Sequence, residues 1–266
     1  MAGWAKRQVC GVLLDITGVL YDSGPEGGTA ISGSVEAVKR LKASSLPVRF
    51  CTNETQCTKR MLVDKLQHLG FTMSENEVFP PAPAMCHILK QRNLRPHLLV
   101  HPDALPDFSA CDRSNPNCVV IGDAADEFSY KNVNDVFRLL VSLDKPVLFS
   151  LGKGKYYKEN NKLCLDVGPY MKALEYACDL EAEVVGKPSA AFFEAAVQDM
   201  GVEPGQVVMV GDDVVNDVGG AQACGIRGVL VRTGKYRPQD EKHPTVNPDG
   251  IVDDLAQAID SLLEGR

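Results

Sequence analysis

Acidic side chains follow two short apolar runs of the sequence. Residues 9–14 (VCGVLL) lead directly into Asp15, and residues 207–210 (VVMV) lead through a glycine to Asp212, with Asp217 about one helical turn later. Grouped carboxylates repel one another unless a cation neutralises them, and an oxygen-only ligand set suits Mg²⁺. Each aspartate alone could simply cap a turn or a helix. Taken together, they favour a magnesium site.

Two further points of the chain carry groups that suit a phosphate. Thr52 and Asn53 follow the predicted strand 48–51 (VRFC), and Lys187 lies in the segment GKP. A hydroxyl, an amide and main-chain N–H groups near a helix start can bind phosphate oxygens. A lysine adds a positive charge that offsets anionic repulsion. The alternatives are an ordinary polar turn and a solvated surface lysine.

The elements that must position these residues alternate between strand and helix patterns. Such alternation predicts a mostly parallel sheet covered on both faces, with ligands bound at the carboxyl ends of the strands. A loop rich in Lys, Tyr and Asn is expected at 152–161. Strands are expected at 9–14, 48–51, 97–100, 119–121, 147–151, 183–185, 207–210 and 229–231. Helices are expected at about 35–41, 58–69, 84–92, 132–143, 170–177, 190–200, 218–224 and 255–263.

Composition excludes several classes of protein. The 266 residues carry 28 Lys plus Arg and 35 Asp plus Glu, a net charge of −7, which argues against binding nucleic acid through its phosphates. No apolar stretch reaches the roughly 18 residues that a membrane span needs. The nine cysteines are scattered, without a C-x-x-C pair, and predict reduced thiols in a cytosolic protein.

Four motifs in this order resemble those of the haloacid dehalogenase (HAD) phosphatase superfamily. They are LLDITGVLYD at 13–22, FCTN at 50–53, GKP at 186–188 and GDDVVND at 211–217. The resemblance implies an α/β fold, a Rossmann-type parallel sheet core with an inserted α/β cap domain. The long insert between the second and third motifs is similar to the subgroup with a large cap there. This implies a discontinuous core of residues 1–81 and 184–266 and a cap of residues 82–183.

Segments of both core and cap sharpen the resemblance. VRFCTNE, SNPNCVVI, LGKGKYYKE, LDVGPYMKALEYAC and RTGKYRP are similar to members that hydrolyse P–N bonds and inorganic pyrophosphate. The resemblance implies a Mg²⁺-dependent hydrolase acting on small phosphorylated substrates or phosphorylated His and Lys side chains, through an aspartyl-phosphate. It also implies a homodimer formed through the cap and a location in the cytoplasm, with the nucleus as a second candidate.

The same resemblance assigns residue roles. Asp15 is the expected nucleophile, and Lys187 is expected to pair with it and with the phosphoryl group. Asp213 receives no definite role. The implied metal ligands are Asp15, the main-chain carbonyl of Thr17, Asp212 and, through a water or from outside the inner ligands, Asp217. The implied substrate-binding residues are Asp15, Ile16, Thr17, Thr52, Asn53 and Lys187.

Thr17 departs from the pattern of the superfamily. Most of its phosphatases carry a second aspartate at this position, which protonates the leaving oxygen and then activates water. A threonine hydroxyl performs neither task well near neutral pH, and a general acid–base group contributes roughly 10²–10⁴-fold. The loss is smallest for good leaving groups, so Thr17 agrees with phosphoramidate and pyrophosphate substrates.

Two other functions stay open at this stage. One is a small-metabolite phosphomonoesterase, of the pyridoxal phosphate or phosphoglycolate type, against which Thr17 argues. The other is a non-catalytic phosphoprotein-binding module, against which Asp15, Lys187 and Asp212 argue. The basic, aromatic loop 152–158 is interpreted either as a substrate-recognition element or as a solvated loop.

Overall fold

The computed structural model describes residues 3–5, 8–24, 27–160 and 162–264. The strands within these residues are β1 (Gly11–Leu14), β2 (Tyr21–Asp22), β3 (Thr29–Ala30), β4 (Val48–Cys51), β5 (Val78–Phe79), β6 (Pro96–Leu99), β7 (Cys118–Ile121), β8 (Leu148–Ser150), β9 (Tyr156–Glu159), β10 (Lys162–Leu165), β11 (Glu183–Val184), β12 (Val207–Gly211), β13 (Arg227–Val231) and β14 (Gly250–Val252). The helices are α1 (Ser34–Ala43), α2 (Lys59–His68), α3 (Pro81–Gln91), α4 (Tyr130–Ser142), α5 (Val167–Cys178), α6 (Ala190–Met200), α7 (Gly220–Ala223) and α8 (Leu255–Leu263).

Six parallel strands form the main sheet, in the order β14-β13-β12-β1-β4-β5. Its central strands β1 and β12 are apolar and completely buried, as expected for strands covered on both faces. Helices α1, α2 and α8 pack on one face through an apolar cluster, and α6 and α7 pack on the other. Burial of the sheet on both sides therefore explains why the sequence shows continuous apolar runs rather than alternation.

The part of the chain between β5 and β12 of the main sheet forms a second parallel sheet, in the order β11-β8-β7-β6. Helix α3 contributes to the apolar cluster on one face, and α4 and α5 contribute to the cluster on the other. The chain thus forms a parallel α/β core interrupted by a smaller α/β unit, and the fold class expected from the sequence is confirmed. No helix in the described part of the chain is long and apolar enough to cross a membrane.

Helices α3 and α5 each begin three residues earlier than the sequence pattern predicts. Helix α3 begins at Pro81 rather than at 84, because a proline in the first turn lacks only an N–H that the helix leaves unpaired. Helix α5 begins at Val167 rather than at 170, because the Asp166 side chain accepts a hydrogen bond from the Val167 N–H and caps it. In both cases the turn chemistry, and not the apolar periodicity, fixes the start.

The segment predicted as a loop at 152–161 contains a strand instead. Residues Tyr156–Glu159 (β9) pair antiparallel with β10, and the hairpin joins the main body through a bridge between Ser23 and Glu159. The two-residue strand β5 and the three-residue strand β14 at the edges of the main sheet were not predicted either. Because these strands are short or carry polar side chains, a search for apolar runs does not detect them.

Candidate active site

The paired ends of β1 and β12 bring the predicted aspartates together. Leu14 lies opposite Val210 in the parallel register, and the Asp15 N–H donates to the Val210 carbonyl at 2.9 Å. Asp15 and Asp212 therefore emerge side by side at the carboxyl edge of the sheet. One carboxylate oxygen from each of Asp15, Asp212 and Asp217 lies within 4.8 Å of the other two, and all three residues are buried.

A π-helical turn, Val214–Gly219, places Asp217 in this group. Asp213 caps the turn, because its Oδ1 accepts hydrogen bonds from the N–H groups of Val215 and Asn216, both at 2.9 Å. The Asp213 N–H in turn donates to Asp217 Oδ2 at 3.1 Å. Asp213, which the sequence left without a role, thus holds the turn that carries Asp217.

Lys187 lies between two of the carboxylates. Its Nζ is 2.6 Å from Asp15 Oδ1 and 2.7 Å from Asp217 Oδ1, and it also donates to the Cys51 carbonyl at 3.0 Å. Burial alone would lower the pKa of Lys187, but Asp15 and Asp217 outweigh it and raise that pKa above its ordinary value. The lysine is therefore a fixed positive charge beside the expected nucleophile.

Asn53 fixes the main chain of Lys187 through a reciprocal pair of hydrogen bonds. The Lys187 N–H donates to Asn53 Oδ1 at 2.8 Å, and Asn53 Nδ2 donates to the Lys187 carbonyl at 2.8 Å. A Cβ on Gly186 would lie 2.5 Å from Asn53 Oδ1, so the approach requires glycine there. The strand end that carries Asn53 therefore positions the lysine.

The carboxylate group is electrostatically unbalanced without a further cation. Burial and the neighbouring Asp15 raise the pKa of Asp217 to about 7. Burial also raises the pKa of Asp212 well above its ordinary value, against the opposing effect of Lys235. Asp212 Oδ1 is buried and has no hydrogen-bond partner among the described residues. An orphaned carboxylate oxygen in an all-oxygen set fits a divalent cation.

Lys235 is a residue of this site that sequence reasoning missed. Its N–H donates to Asp212 Oδ2 at 2.8 Å, and its Nζ lies 2.9 Å from Asp213 Oδ2. Burial works to lower the pKa of Lys235, but Asp213 and Asp212 outweigh it and raise that pKa. The signal available was its position, because Lys235 follows β13, the strand next to β12, at the same edge of the sheet.

Two glycines make room for Asp212. A Cβ on Gly234 would lie 2.0 Å from Asp212 Oδ2, and a Cβ on Gly18 would lie 2.2 Å from the same oxygen. Both glycines have positive φ, at 63° and 88°, a region that side chains disfavour. The main chain on both sides of Asp212 therefore confines this carboxylate.

A cavity of about 200 Å³ opens over these groups and is lined by residues from both sheets. Asp15, Thr52 and Asn53 line it from the main sheet, and Lys187 lines it from the segment that follows β11. The second unit contributes Asp123, Tyr157, Lys158, Glu159 and Asp166. The two units are tied together at its edge, since Gln56 Nε2 donates to Asp123 Oδ2 at 2.7 Å. A substrate bound at the aspartates would therefore be enclosed by the inserted unit.

Of the remaining predicted residues, some line the cavity and others do not. Thr17 lines the cavity, and its Oγ1 donates to the Tyr21 hydroxyl at 3.4 Å. The Ile16 side chain is completely buried in the apolar cluster, which leaves only its main chain available to a substrate. Of the basic loop, Tyr157 and Lys158 line the cavity, and Lys153 is exposed outside it.

Comparisons with known proteins agree with this arrangement. Residues 12–134 match the family model of haloacid dehalogenase-like hydrolases, and residues 184–258 match a HAD-hydrolase-like model. The chain is 64% identical over 266 residues to the Homo sapiens phospholysine phosphohistidine inorganic pyrophosphate phosphatase, covering 99% of this chain and 98% of that protein. The Danio rerio protein of the same name is 63% identical over 260 residues, covering 98% and 96%.

Solved structures show the same fold at lower sequence identity. A 4-nitrophenylphosphatase from Thermotoga maritima superposes with a TM-score of 0.84 at 23% identity, covering 97% of this chain and 98% of that chain. The agreement extends through both sheets, because the matched length includes the inserted unit. Together with the full-length relatives, it shows that this chain belongs to the haloacid dehalogenase-like hydrolases.

Proposed function

We propose that this chain is a Mg²⁺-dependent phosphatase that hydrolyses the P–N bonds of phosphohistidine and phospholysine and the P–O–P bond of inorganic pyrophosphate. One observation carries the proposal: the chain is 64% identical, over nearly its full length, to a protein named for those three substrates. The convergence of Asp15, Lys187, Asp212 and Asp217 at one sheet edge supports it independently.

The geometry supports covalent catalysis by Asp15. A carboxylate oxygen of Asp15 attacks phosphorus and forms an aspartyl-phosphate, which water then hydrolyses. Lys187 offsets the repulsion between this carboxylate and the incoming phosphoryl oxygens, because its Nζ lies 2.6 Å from Asp15 Oδ1. Thr52, Asn53 and the main chain of Ile16 and Thr17 are the groups that we propose orient those oxygens.

The residues that would hold Mg²⁺ are Asp15, the main-chain carbonyl of Thr17, Asp212 and Asp217. When bound, the ion would neutralise charge on the phosphoryl oxygens. The unpartnered Asp212 Oδ1 supports this assignment, since a buried carboxylate oxygen without a donor is costly. Lys235 keeps the other Asp212 oxygen in place through its N–H.

Phosphate release from a panel of substrates tests the proposal. Wild-type protein with Mg²⁺ is expected to release phosphate from pyrophosphate, phosphohistidine and phospholysine faster than from pyridoxal phosphate or phosphoglycolate. Asp15→Asn, which keeps the shape but removes the nucleophile, should lower every rate by at least about 10³-fold. A clear preference for pyridoxal phosphate would favour a phosphomonoesterase. No release from any substrate would favour a phosphoprotein-binding module.

The assembly that we propose is a homodimer through the inserted unit. Leu163 and Leu165 of β10 are 54% and 61% exposed, on the outer strand of a two-stranded sheet. Exposed apolar residues on an edge strand favour association. Sedimentation at micromolar concentration is expected to give a dimer that Leu165→Lys dissociates, and a wild-type monomer would contradict it.

Three further assignments complete the proposal. The unit boundaries that we propose are 1–81 and 184–266 for the core and 82–183 for the cap. The two separate sheets support this division except at the junctions, where α3 begins at Pro81 and β11 of the second sheet extends to Val184. The location that we propose is the cytoplasm, with the nucleus as a second compartment to examine, and the nine free cysteines support a reducing environment. The partners are small phosphorylated molecules or phosphorylated His and Lys side chains, without nucleic acid or membrane.

A further inference from the structure

The proposed reaction needs a group that moves protons, and neither Thr17 nor Lys187 supplies one. The leaving nitrogen must gain a proton as the P–N bond breaks, and the attacking water must lose one. The Thr17 hydroxyl is neither a useful acid nor a useful base near neutral pH. Lys187 is held charged between Asp15 and Asp217, so its proton is not available either.

Two carboxyl groups of the inserted unit line the cavity with an oxygen that is unpartnered among the described residues: Glu159 lies on the hairpin strand β9, whereas Asp166 is held at a helix start. Asp166 lines the cavity at the start of α5, and its Oδ1 accepts a hydrogen bond from the Val167 N–H at 2.6 Å. Its Oδ2 has no hydrogen-bond or ion-pair partner among the described residues. Asp123, the other aspartate from this unit, has both oxygens occupied, by Gln56 Nε2 and by the Ala125 N–H.

Glycines of the loop before β9 and of α5 hold Asp166 in position. A Cβ on Gly154 would lie 1.8 Å from Asp166 Oδ2, and a Cβ on Gly168 would lie 2.4 Å from the Gly154 carbonyl. The Gly168 N–H donates to that carbonyl at 2.9 Å, which locks the loop against the helix start. Side chains at these positions would displace the carboxyl group.

The start of α5 also lies next to the phosphoryl-binding residues. A Cβ on Gly152 would lie 3.2 Å from Asn53 Nδ2 and 3.5 Å from Val167 Cγ1. Asn53 is the residue that holds the main chain of Lys187. Gly152 thus lies between Val167, the residue after Asp166, and Asn53 at the phosphoryl-binding end of β4.

We propose that Asp166 is the acid–base residue of this enzyme, donating a proton to the leaving group and then accepting one from the attacking water. The inference rests on the proposed function. In the first step Asp15 forms an O–P bond, the P–N bond breaks with its electron pair going to nitrogen, and the Asp166 proton moves to that nitrogen. In the second step a water oxygen forms an O–P bond, the Asp15 O–P bond breaks, and the water proton returns to Asp166.

The charged surroundings of Asp166 suit both steps. Burial raises the pKa of Asp166 to about 6, while the Val167 N–H and Lys235 lower it and Asp123 and Asp213 raise it. Lys153 and Lys155, on the loop packed against it, are exposed. A carboxyl group with a raised pKa is protonated below about pH 6 and ionised above it. Both forms are therefore populated near neutral pH, as a group that donates and accepts in turn requires.

Asp166→Asn tests the proposal while keeping the helix cap, because asparagine caps a helix as well as aspartate does. With phospholysine, whose nitrogen leaves well only once it is protonated, kcat should fall by about 10²-fold, and its decline above about pH 6 should disappear. With p-nitrophenyl phosphate, whose leaving group needs no proton, the variant should release a burst of one nitrophenolate per site and then turn over slowly. Thr17→Asp in the same chain should restore part of the steady-state rate.

Asp254→Asn is the matched control, since Asp254 caps α8 through the Gln257 N–H outside the cavity. It should leave all rates unchanged. Equal loss on every substrate without a burst would overturn the proposal and reduce Asp166 to a structural cap, as would wild-type activity in Asp166→Asn. The same signature in Glu54→Gln instead would also overturn it. An inactive wild-type protein would contradict the proposed function rather than this assignment.

Discussion

The two parallel sheets of this protein have the same architecture, but the charged side chains around them differ in burial. Both have buried strands and helices on both faces, and both present strand ends to one cavity. At the carboxyl edge of the main sheet the ionic groups are buried together, with the Lys187 side chain only 4% exposed between two carboxylates. In the inserted unit, ion pairs such as Lys131 with Asp135 lie on the surface, and Lys131 is 80% exposed.

This difference separates two tasks. Buried charges cannot relax or be screened, so the main sheet is suited to holding a nucleophile, a cation and a phosphoryl group in fixed positions. The inserted unit carries half-buried polar groups at the cavity, which are suited to recognising and protonating whatever leaves. Helix caps and glycine turns hold these groups, rather than ion pairs.

Removal of the buried positive charge of Lys187 is expected to have the largest effect on stability and activity. Lys187→Met leaves Asp15 and Asp217 buried without their cation, so we expect a loss of about 3–5 kcal/mol in the free energy of unfolding. Activity with Mg²⁺ should fall by at least about 10³-fold. Urea denaturation and phosphate release measure the two effects.

Lys131→Met is the matched change on the inserted unit. Its partner Asp135 is also surface-exposed, so no measurable change in stability or activity is expected. Equal destabilisation by the two variants would contradict the distinction between buried and surface charge.

The confinement of Asp212 gives a second, smaller effect. Gly234→Ala places a methyl group against Asp212 Oδ2, and a displacement of about 1 Å at a reacting centre costs about 10²-fold in rate. Gly201 at the end of α6 has nearly the same φ, 65° against 63°, but nothing within 4 Å of its added Cβ. Gly201→Ala should therefore cost only about 1–2 kcal/mol in unfolding free energy and no activity.

If Gly201→Ala lowered kcat as much as Gly234→Ala, backbone strain rather than contact with Asp212 would explain the effect. Initial rates at saturating Mg²⁺, measured on folded fractions, distinguish these outcomes. Thermal unfolding of both variants gives the strain contribution directly.

Thr17→Asp is expected to have the smallest effect. It tests whether the main sheet lacks a proton-transfer group. It adds a proton-transfer group on the main sheet, so rates with alkyl phosphates, whose leaving oxygen needs a proton, should rise about tenfold more than the rate with pyrophosphate. Thr58→Asp, which keeps the cap of α2 outside the cavity, controls for the added charge. An equal change on all substrates, or none, would show that leaving-group protonation is not what Thr17 limits.

Much of the main sheet could be predicted, because strands that are buried on both faces consist mainly of apolar residues. The apolar runs before Asp15 and Asp212 are continuous, the strand before Thr52 is interrupted only by Arg49, and the rule that ligands bind at strand ends then groups those residues. The same rule applied to β13 would have found Lys235, which follows that strand at the same edge. The prediction stopped at the motifs and did not extend to their neighbour.

The inserted unit was less predictable for a physical reason. Asp166 follows a half-exposed hairpin strand and precedes a helix whose first turn contains a proline, so neither periodicity nor an apolar run marks it. Its place in the cavity depends on close contacts at Gly152, Gly154 and Gly168, which are long-range packing facts. Sequence patterns report burial well and report such contacts poorly.

The most direct test of the account is to locate the covalent phosphate. Wild-type protein would be mixed with labelled phosphohistidine and Mg²⁺, quenched in acid within one turnover and digested for mass spectrometry. We expect one phosphoryl group on Asp15, labile to hydroxylamine, absent from Asp15→Asn and, with p-nitrophenyl phosphate as the substrate, more abundant in Asp166→Asn. Full turnover by wild-type protein with no phosphoryl group on Asp15, or with the group on another residue, would contradict it.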